Sequence, residues 1–132
     1  MKKVVKFGGS SLASAEQFKK VGDIIRADKS RRYVVPSAPG KRSSSDTKVT
    51  DMLYSCYNLA IREKKFTSLL DEIHARYNEI IDGLNLELSL DHEFDMIREN
   101  FGKKIGRDYA ASRGEYLNGI IMANYLGFCF ID

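Results

Sequence analysis

Two short runs of β-type residues each end against a turn of small residues, and a helix follows each turn. That repeated pattern of strand, tight turn and helix limits the possible folds more than any other feature. Val4 to Phe7 stops at Gly8-Gly9, and Tyr33-Val34-Val35 is cut short by Pro36. Ser37-Ala38-Pro39-Gly40 is a turn by composition. Behind the first turn, Phe18, Val21, Ile24 and Ile25 fall at helical spacing, with Ser10-Ser11 and Ser14 as candidate caps.

Lys41 to Lys48 is polar, holds three consecutive serines and reads as a mobile loop. A helix then starts near Thr50-Asp51 and runs through Met52, Leu53, Cys56 and Leu59-Ala60. Phe66, Leu69-Leu70, Ile73, Tyr77 and Ile80-Ile81 make the clearest amphipathic pattern, and Gly83 ends it. Leu90, Phe94, Ile97 and Phe101 predict another helix from about Ser89, with Gly102 and Gly106 weakening its end. Leu117, Ile120-Ile121 and Leu126 predict the last helix, which Gly127 stops. Phe128 to Ile131 reads as a third strand that runs out at the end of the chain.

The predicted order β-α-β-α-α-α-α-β favours an α/β layered fold with a mainly parallel sheet. A sheet of about three strands covers this many helices poorly, so the chain reads as an unfinished domain. Its 132 residues suit one domain or a piece of one. Hydrophobic residues make up 43% and charged residues 30%, which places it among folded, soluble chains. The net charge of +3 is too small and too evenly spread to indicate nucleic acid.

The apolar run at the N-terminus is too short for a signal peptide. No stretch approaches the roughly 20 apolar residues that span a bilayer. The expected compartment is the cytoplasm, without membrane contact. Cys56 and Cys129 have apolar or aromatic neighbours and read as buried, reduced core residues.

Four segments carry candidate chemistry. In Lys6-Phe7-Gly8-Gly9-Ser10-Ser11 a lysine sits inside an apolar strand, directly before two glycines and a helix start. Glycines let backbone approach a ligand, and N–H groups at such a turn suit an anion. The combination fits a polyphosphate, in neither the Walker nor the dinucleotide-loop spacing. The alternative is a tight turn with a surface lysine. Ser37 to Gly40 also follows a strand end, where open α/β sheets bind ligands, although taken by itself it reads as an ordinary turn. Thr50-Asp51 is either an N-cap or a hydroxyl that donates to a substrate carboxylate. Ser112-Arg113-Gly114-Glu115 is either a capping box or a place where Glu115 meets an ammonium group. Gly114 suits a first helical turn poorly, and a helix that starts near Asp108-Tyr109 would put Glu115 in its middle. His74 and His92 lack ligand-type partners at metal spacing and read as surface or boundary residues, so no metal ligand is assigned.

Together these segments resemble the aspartate kinases of the amino-acid kinase family. Lys6 to Ser11 looks like the family's opening signature. Val34 to Arg42, continuing through Val49 to Leu53, looks like its second segment, and Ser112 to Glu115 like its third. The resemblance implies an amino-acid-kinase-like fold of which residues 1–132 are the N-terminal part. The nucleotide half and the ACT regulatory domains would lie elsewhere.

It also implies transfer of phosphoryl from ATP, with Mg²⁺, to the side-chain carboxylate of L-aspartate. That reaction opens the route to lysine, threonine and methionine. Lys6 would contact the transferring group, and Phe7, Gly8, Gly9 and Ser10 would line the phosphate site. Ser37, Thr50 and Glu115 would hold aspartate, with Arg113 a lesser candidate. The intact enzyme would be a homo-oligomer, and this segment alone would be inactive. Two rival readings are a non-catalytic module that binds an amino acid or phosphate, and a kinase for another acidic amino acid. Pro36 departs from the family, which has an apolar residue with an N–H at that strand position.

Overall fold

The computed structural model describes residues 1–131. Strand β1 (Lys3–Phe7) leads through a 3-10 turn (Gly9–Leu12) into helix α1 (Ala15–Arg26). Strand β2 (Arg31–Pro36) follows, then α2 (Val49–Ile61), α3 (Thr67–Gly83), α4 (Asp91–Gly102) and α5 (Arg107–Leu126). The Ser14 side chain caps α1 by accepting from the Gln17 N–H at 3.3 Å. Ser10 and Ser11 lie instead within the 3-10 turn.

β1 and β2 pair in parallel, with Val5 opposite Val34, Lys6 opposite Val35 and Phe7 opposite Pro36. Strand periodicity sends Val5, Phe7 and Val34 inward, where they pack on the core. Lys6 falls on the other face with Val4, Tyr33 and Val35, which are 69%, 49% and 46% exposed. Lys6 is exposed too, so the desolvation cost of a lysine within an apolar strand does not arise here. Pro36 fits for a geometric reason. The Ser37 N–H donates to the Phe7 carbonyl at 3.1 Å. Backbone groups alternate between strand edges, so the Pro36 nitrogen faces away from β1 and costs the ladder no bond.

The core joins Phe18, Leu53, Leu70, Ile73, Tyr77, Phe94, Ile97, Phe101 and Leu117, all at most 1% exposed. None of the described helices is long and apolar enough to cross a membrane.

Three sequence expectations need correction. Phe128 to Ile131 forms no strand, so the sheet among the described residues has two strands. Asp132, where that strand was expected to run out, lies outside the described residues. Gly127 closes α5 in a left-handed turn at φ 73°, and the Phe128 N–H bonds back to the Ala123 carbonyl. The Phe130 ring then meets Tyr116 edge-on at 5.5 Å, so this segment packs on α5 instead of pairing with β2.

Cys129 consequently stands exposed, while Cys56 is buried as expected, and both are free thiols. The loop from Lys41 to Lys48 is anchored: Arg42 pairs with Asp46 at 2.7 Å and with Glu79 at 3.1 Å.

Candidate active site

The parallel pairing puts the ends of β1 and β2 side by side, and the turns that leave them are stitched together. The Gly40 N–H donates to the Gly9 carbonyl at 2.8 Å. No side chain fits between them. A Cβ on Gly40 would stand 2.6 Å from the Gly9 carbonyl carbon, and one on Gly9 3.0 Å from the Ala38 oxygen. The glycines at 9 and 40 thus serve this close approach. Lys6, Phe7, Gly8, Gly9 and Ser10 lie on one side of the seam. Ser37 to Gly40 lie on the other.

The second turn runs into α2. The Val49 N–H donates to the Pro39 carbonyl at 3.1 Å, and Thr50 falls in the first helical turn. Lys48 precedes the helix and supplies no side-chain cap, so Thr50 is not the N-cap. An uncapped helix start with a hydroxyl in its first turn suits a carboxylate.

The third wall is α5. It begins at Arg107, so Ser112 to Glu115 is mid-helix and the capping box is excluded. The Ser112 hydroxyl donates instead to the Tyr109 carbonyl at 2.8 Å. Gly114 is where α5 crosses the turn, since a Cβ there would lie 2.6 Å from that of Ala38 and 3.4 Å from the Leu53 methyl. The next residue, Glu115, is exposed. It borders a groove of about 900 Å³ between β2 and α5, together with Pro36, Ser112, Arg113 and Tyr116. Arg113 is engaged within its own helix, between the rings of Tyr109 and Tyr116 at 4.5 and 4.4 Å, and donates to Ser112. That leaves it less free than Glu115 to meet a ligand.

Two buried polar residues at this site escaped the sequence reading. Asn118 is fully buried on α5 and donates to the Ser37 carbonyl at 2.7 Å, while its own Oδ1 has no protein partner. Arg76 is 5% exposed on α3 and donates to the Gly40 and Thr47 carbonyls, each at 2.8 Å. Each stands at core spacing. Arg76 lies three residues after Ile73 and four before Ile80, and Asn118 three before Ile121. A polar residue inside an apolar stripe was the available signal.

His74 is half-buried, stacked on Phe94 at 4.1 Å, and His92 is exposed. Among the described residues no three His, Cys, Asp or Glu side chains cluster to hold a metal ion.

Contacts thus bring together the turns at Gly9, Ala38 and Gly40, the start of α2 and Gly114 of α5, while the groove that Glu115 borders is lined by none of Lys6, Ser37 and Thr50. Residues 1–129 match the family described as Amino acid kinase family. The chain belongs to that family.

Within it, the chain is 46% identical over 88 residues to aspartokinase 3 of Bacillus subtilis (strain 168). That match covers 67% of this chain and 19% of that protein. Identity to the chloroplastic aspartokinase 1 of Arabidopsis thaliana is 33% over 133 residues, covering 93% of this chain and 23% of the relative. The fold matches the crystal structure of Clostridium acetobutylicum aspartate kinase with a TM-score of 0.93 and 47% identity. The match covers 98% of this chain and 30% of that one. The chain therefore spans less than a third of each of these family members.

Proposed function

We propose that this amino acid kinase segment is the aspartate-side part of an aspartate kinase. Residues 1–132 would form the N-terminal portion of the catalytic domain, with the nucleotide half and any regulatory domains contributed by further chain. One observation carries the reading. The seam between Gly9 and Gly40 joins an anion-type turn after Lys6 to a turn that leads into the uncapped start of α2. The exposed sheet face at Val4, Tyr33 and Val35 fits a larger domain, because parallel sheets are covered on both faces.

In this reading Lys6 meets the transferring phosphoryl group, and the backbone and hydroxyl of Gly8, Gly9 and Ser10 offer donors to ATP. Ser37 and the Thr50 hydroxyl hold aspartate carboxylates, and Glu115 takes its ammonium group. The side-chain carboxylate is ionised at pH 7 and needs no general base. One of its oxygens attacks the γ-phosphorus, the bond to the bridging oxygen breaks, and ADP leaves. The obstacle is repulsion between carboxylate and triphosphate, which Lys6 and the start of α2 offset. Mg²⁺, carried by the phosphates, would supply further charge neutralisation there. The intact enzyme would be a cytoplasmic homo-oligomer that serves lysine, threonine and methionine synthesis.

The test is a chimera in which residues 1–129 replace the corresponding segment of the Clostridium enzyme. It should release ADP in the presence of L-aspartate and much less with L-glutamate. Glu115→Gln should raise the KM for aspartate roughly tenfold and leave that for ATP unchanged, the size expected of one lost charged hydrogen bond. A chimera that folds yet shows no preference for aspartate would sink the reading. The segment alone should turn over no aspartate.

A further inference from the structure

The proposed aspartate site draws its residues from the turn after β2, from α2 and from α5, and none from α3. Yet two consecutive α3 residues reach its walls from behind. Arg76 donates through Nη2 to the Gly40 carbonyl and through Nη1 to the Thr47 carbonyl. Tyr77 is fully buried, and its hydroxyl donates to the Gly114 carbonyl at 2.8 Å, next to Glu115.

The Arg76 contacts are the more telling. One planar guanidinium ties two carbonyls seven residues apart and so closes the loop between Ser37 and Thr50. Gly40 is bound on both sides, because its N–H also holds the Gly9 carbonyl. The hydrogen-bonded path thus runs from α3, through the aspartate-side turn, to the phosphate-side turn. The charge is balanced locally. Asp46 lies 3.7 Å from Arg76, and Arg42 bridges Asp46 and Glu79. Burying an arginine is costly unless its donors are used, and here they are spent on loop carbonyls. An apolar side chain at this core position would fill the space but leave those carbonyls without a donor.

Resting on the proposed function, we infer that Arg76 is a positioning residue for the aspartate site, which fixes the loop carrying Ser37 and Thr50 without touching substrate. Lysine keeps the charge but presents one ammonium in place of a rigid fork, so Arg76→Lys isolates the bridging geometry.

The experiment uses the same chimera with Arg76→Lys, Arg76→Gln and, as a control for a nearby buried group, Tyr77→Phe. Hydrogen exchange at the amides of residues 40–49 should speed up in both Arg76 variants and stay unchanged in Tyr77→Phe. The KM for aspartate should rise roughly tenfold in Arg76→Lys, with the KM for ATP within about twofold, as expected for one lost charge-assisted bond. Unchanged loop exchange overturns the inference. So does an unchanged aspartate KM with a lowered melting temperature, and so does loss of fold in both Arg76 variants, because each assigns Arg76 to stability alone. A wild-type chimera without aspartate turnover would sink the function, while the exchange measurement, which needs no substrate, still decides whether Arg76 fixes the loop.

Discussion

The Gly40 N–H and the Gly9 carbonyl meet at 2.8 Å, and this one bond joins the turns that leave the two parallel strands. Its neighbourhood leaves no room for a side chain. Gly40→Ala would place a Cβ 2.6 Å from the Gly9 carbonyl carbon and 2.8 Å from the Ser10 nitrogen, both backbone atoms. Backbone cannot swing aside as a flexible side chain can, so the two turns must part. The expected cost is about 1–3 kcal/mol of stability, as for other overpacked sites. Urea unfolding of wild type and Gly40→Ala measures it. Gly8→Ala is the control, because a Cβ there meets nothing within 4 Å, and its midpoint should barely move.

Asn118 offers a second test. Its amide donates to the Ser37 carbonyl, while its own Oδ1 is buried without a protein partner. Asn118→Ala removes the donor and leaves the Ser37 carbonyl unsatisfied, at about 1–3 kcal/mol. The loss is tempered because the orphaned oxygen leaves with the side chain. Asn118→Asp should be worse, since it sets a buried carboxylate against a carbonyl oxygen. Denaturation midpoints should therefore fall in the order wild type, Asn118→Ala, Asn118→Asp. The reverse order for the two variants would mean that the carboxyl at position 118 is protonated and donates to the Ser37 carbonyl in the amide's place.

Much of this architecture was legible from apolar spacing. Phe18, Val21 and Ile25 marked the buried face of α1, though Ile24, read with them, is 49% exposed, and Leu70, Ile73, Tyr77 and Ile80 marked that of α3, because helix periodicity is a local property. The turns after Phe7 and Pro36 were legible because glycine and proline act on their own backbone. What escaped depends on contacts between distant segments. Phe128 to Ile131 has strand composition, but a strand needs a partner edge, and its Phe130 ring packs on Tyr116 instead. Ser112-x-x-Glu115 matches a capping box, yet the helix begins at Arg107, five residues earlier than Ser112. The serine-rich loop looked free because Arg76 and Glu79, which tie it to the core, come from α3, while Arg42 and Asp46 brace it from within.

That restraint should respond to acid. The Arg42 side chain, then its backbone N–H, hydrogen-bond Asp46 and hold its carboxyl well below the usual range, against the opposing effect of burial. A carboxyl whose folded pKa is depressed contributes stability above its unfolded pKa, roughly 4. That contribution is lost as pH falls through the lower, folded value. Wild type should therefore be more stable than Asp46→Asn at pH 7. The gap between their urea midpoints should narrow at pH 3 and again at pH 2. A gap independent of pH would show that Asp46 acts by shape and not by charge.

The two thiols should differ in reactivity, because the chain places them in opposite surroundings. Cys56 is fully buried on α2, its Sγ lies 3.6 Å from the Phe66 carbonyl, and burial pushes its pKa up to about 12. At pH 8 its thiolate fraction is then on the order of one in ten thousand, and the thiolate is the reactive form. Cys129 lies exposed beyond the end of α5. A thiol-reactive label at pH 8 should therefore add once to the folded chain, at Cys129, and twice in denaturant, as read by mass spectrometry. Rapid labelling of Cys56 without denaturant would mean that α2 opens locally. Since α2 carries Thr50 in its first turn, such opening would also unsettle the aspartate side of the site.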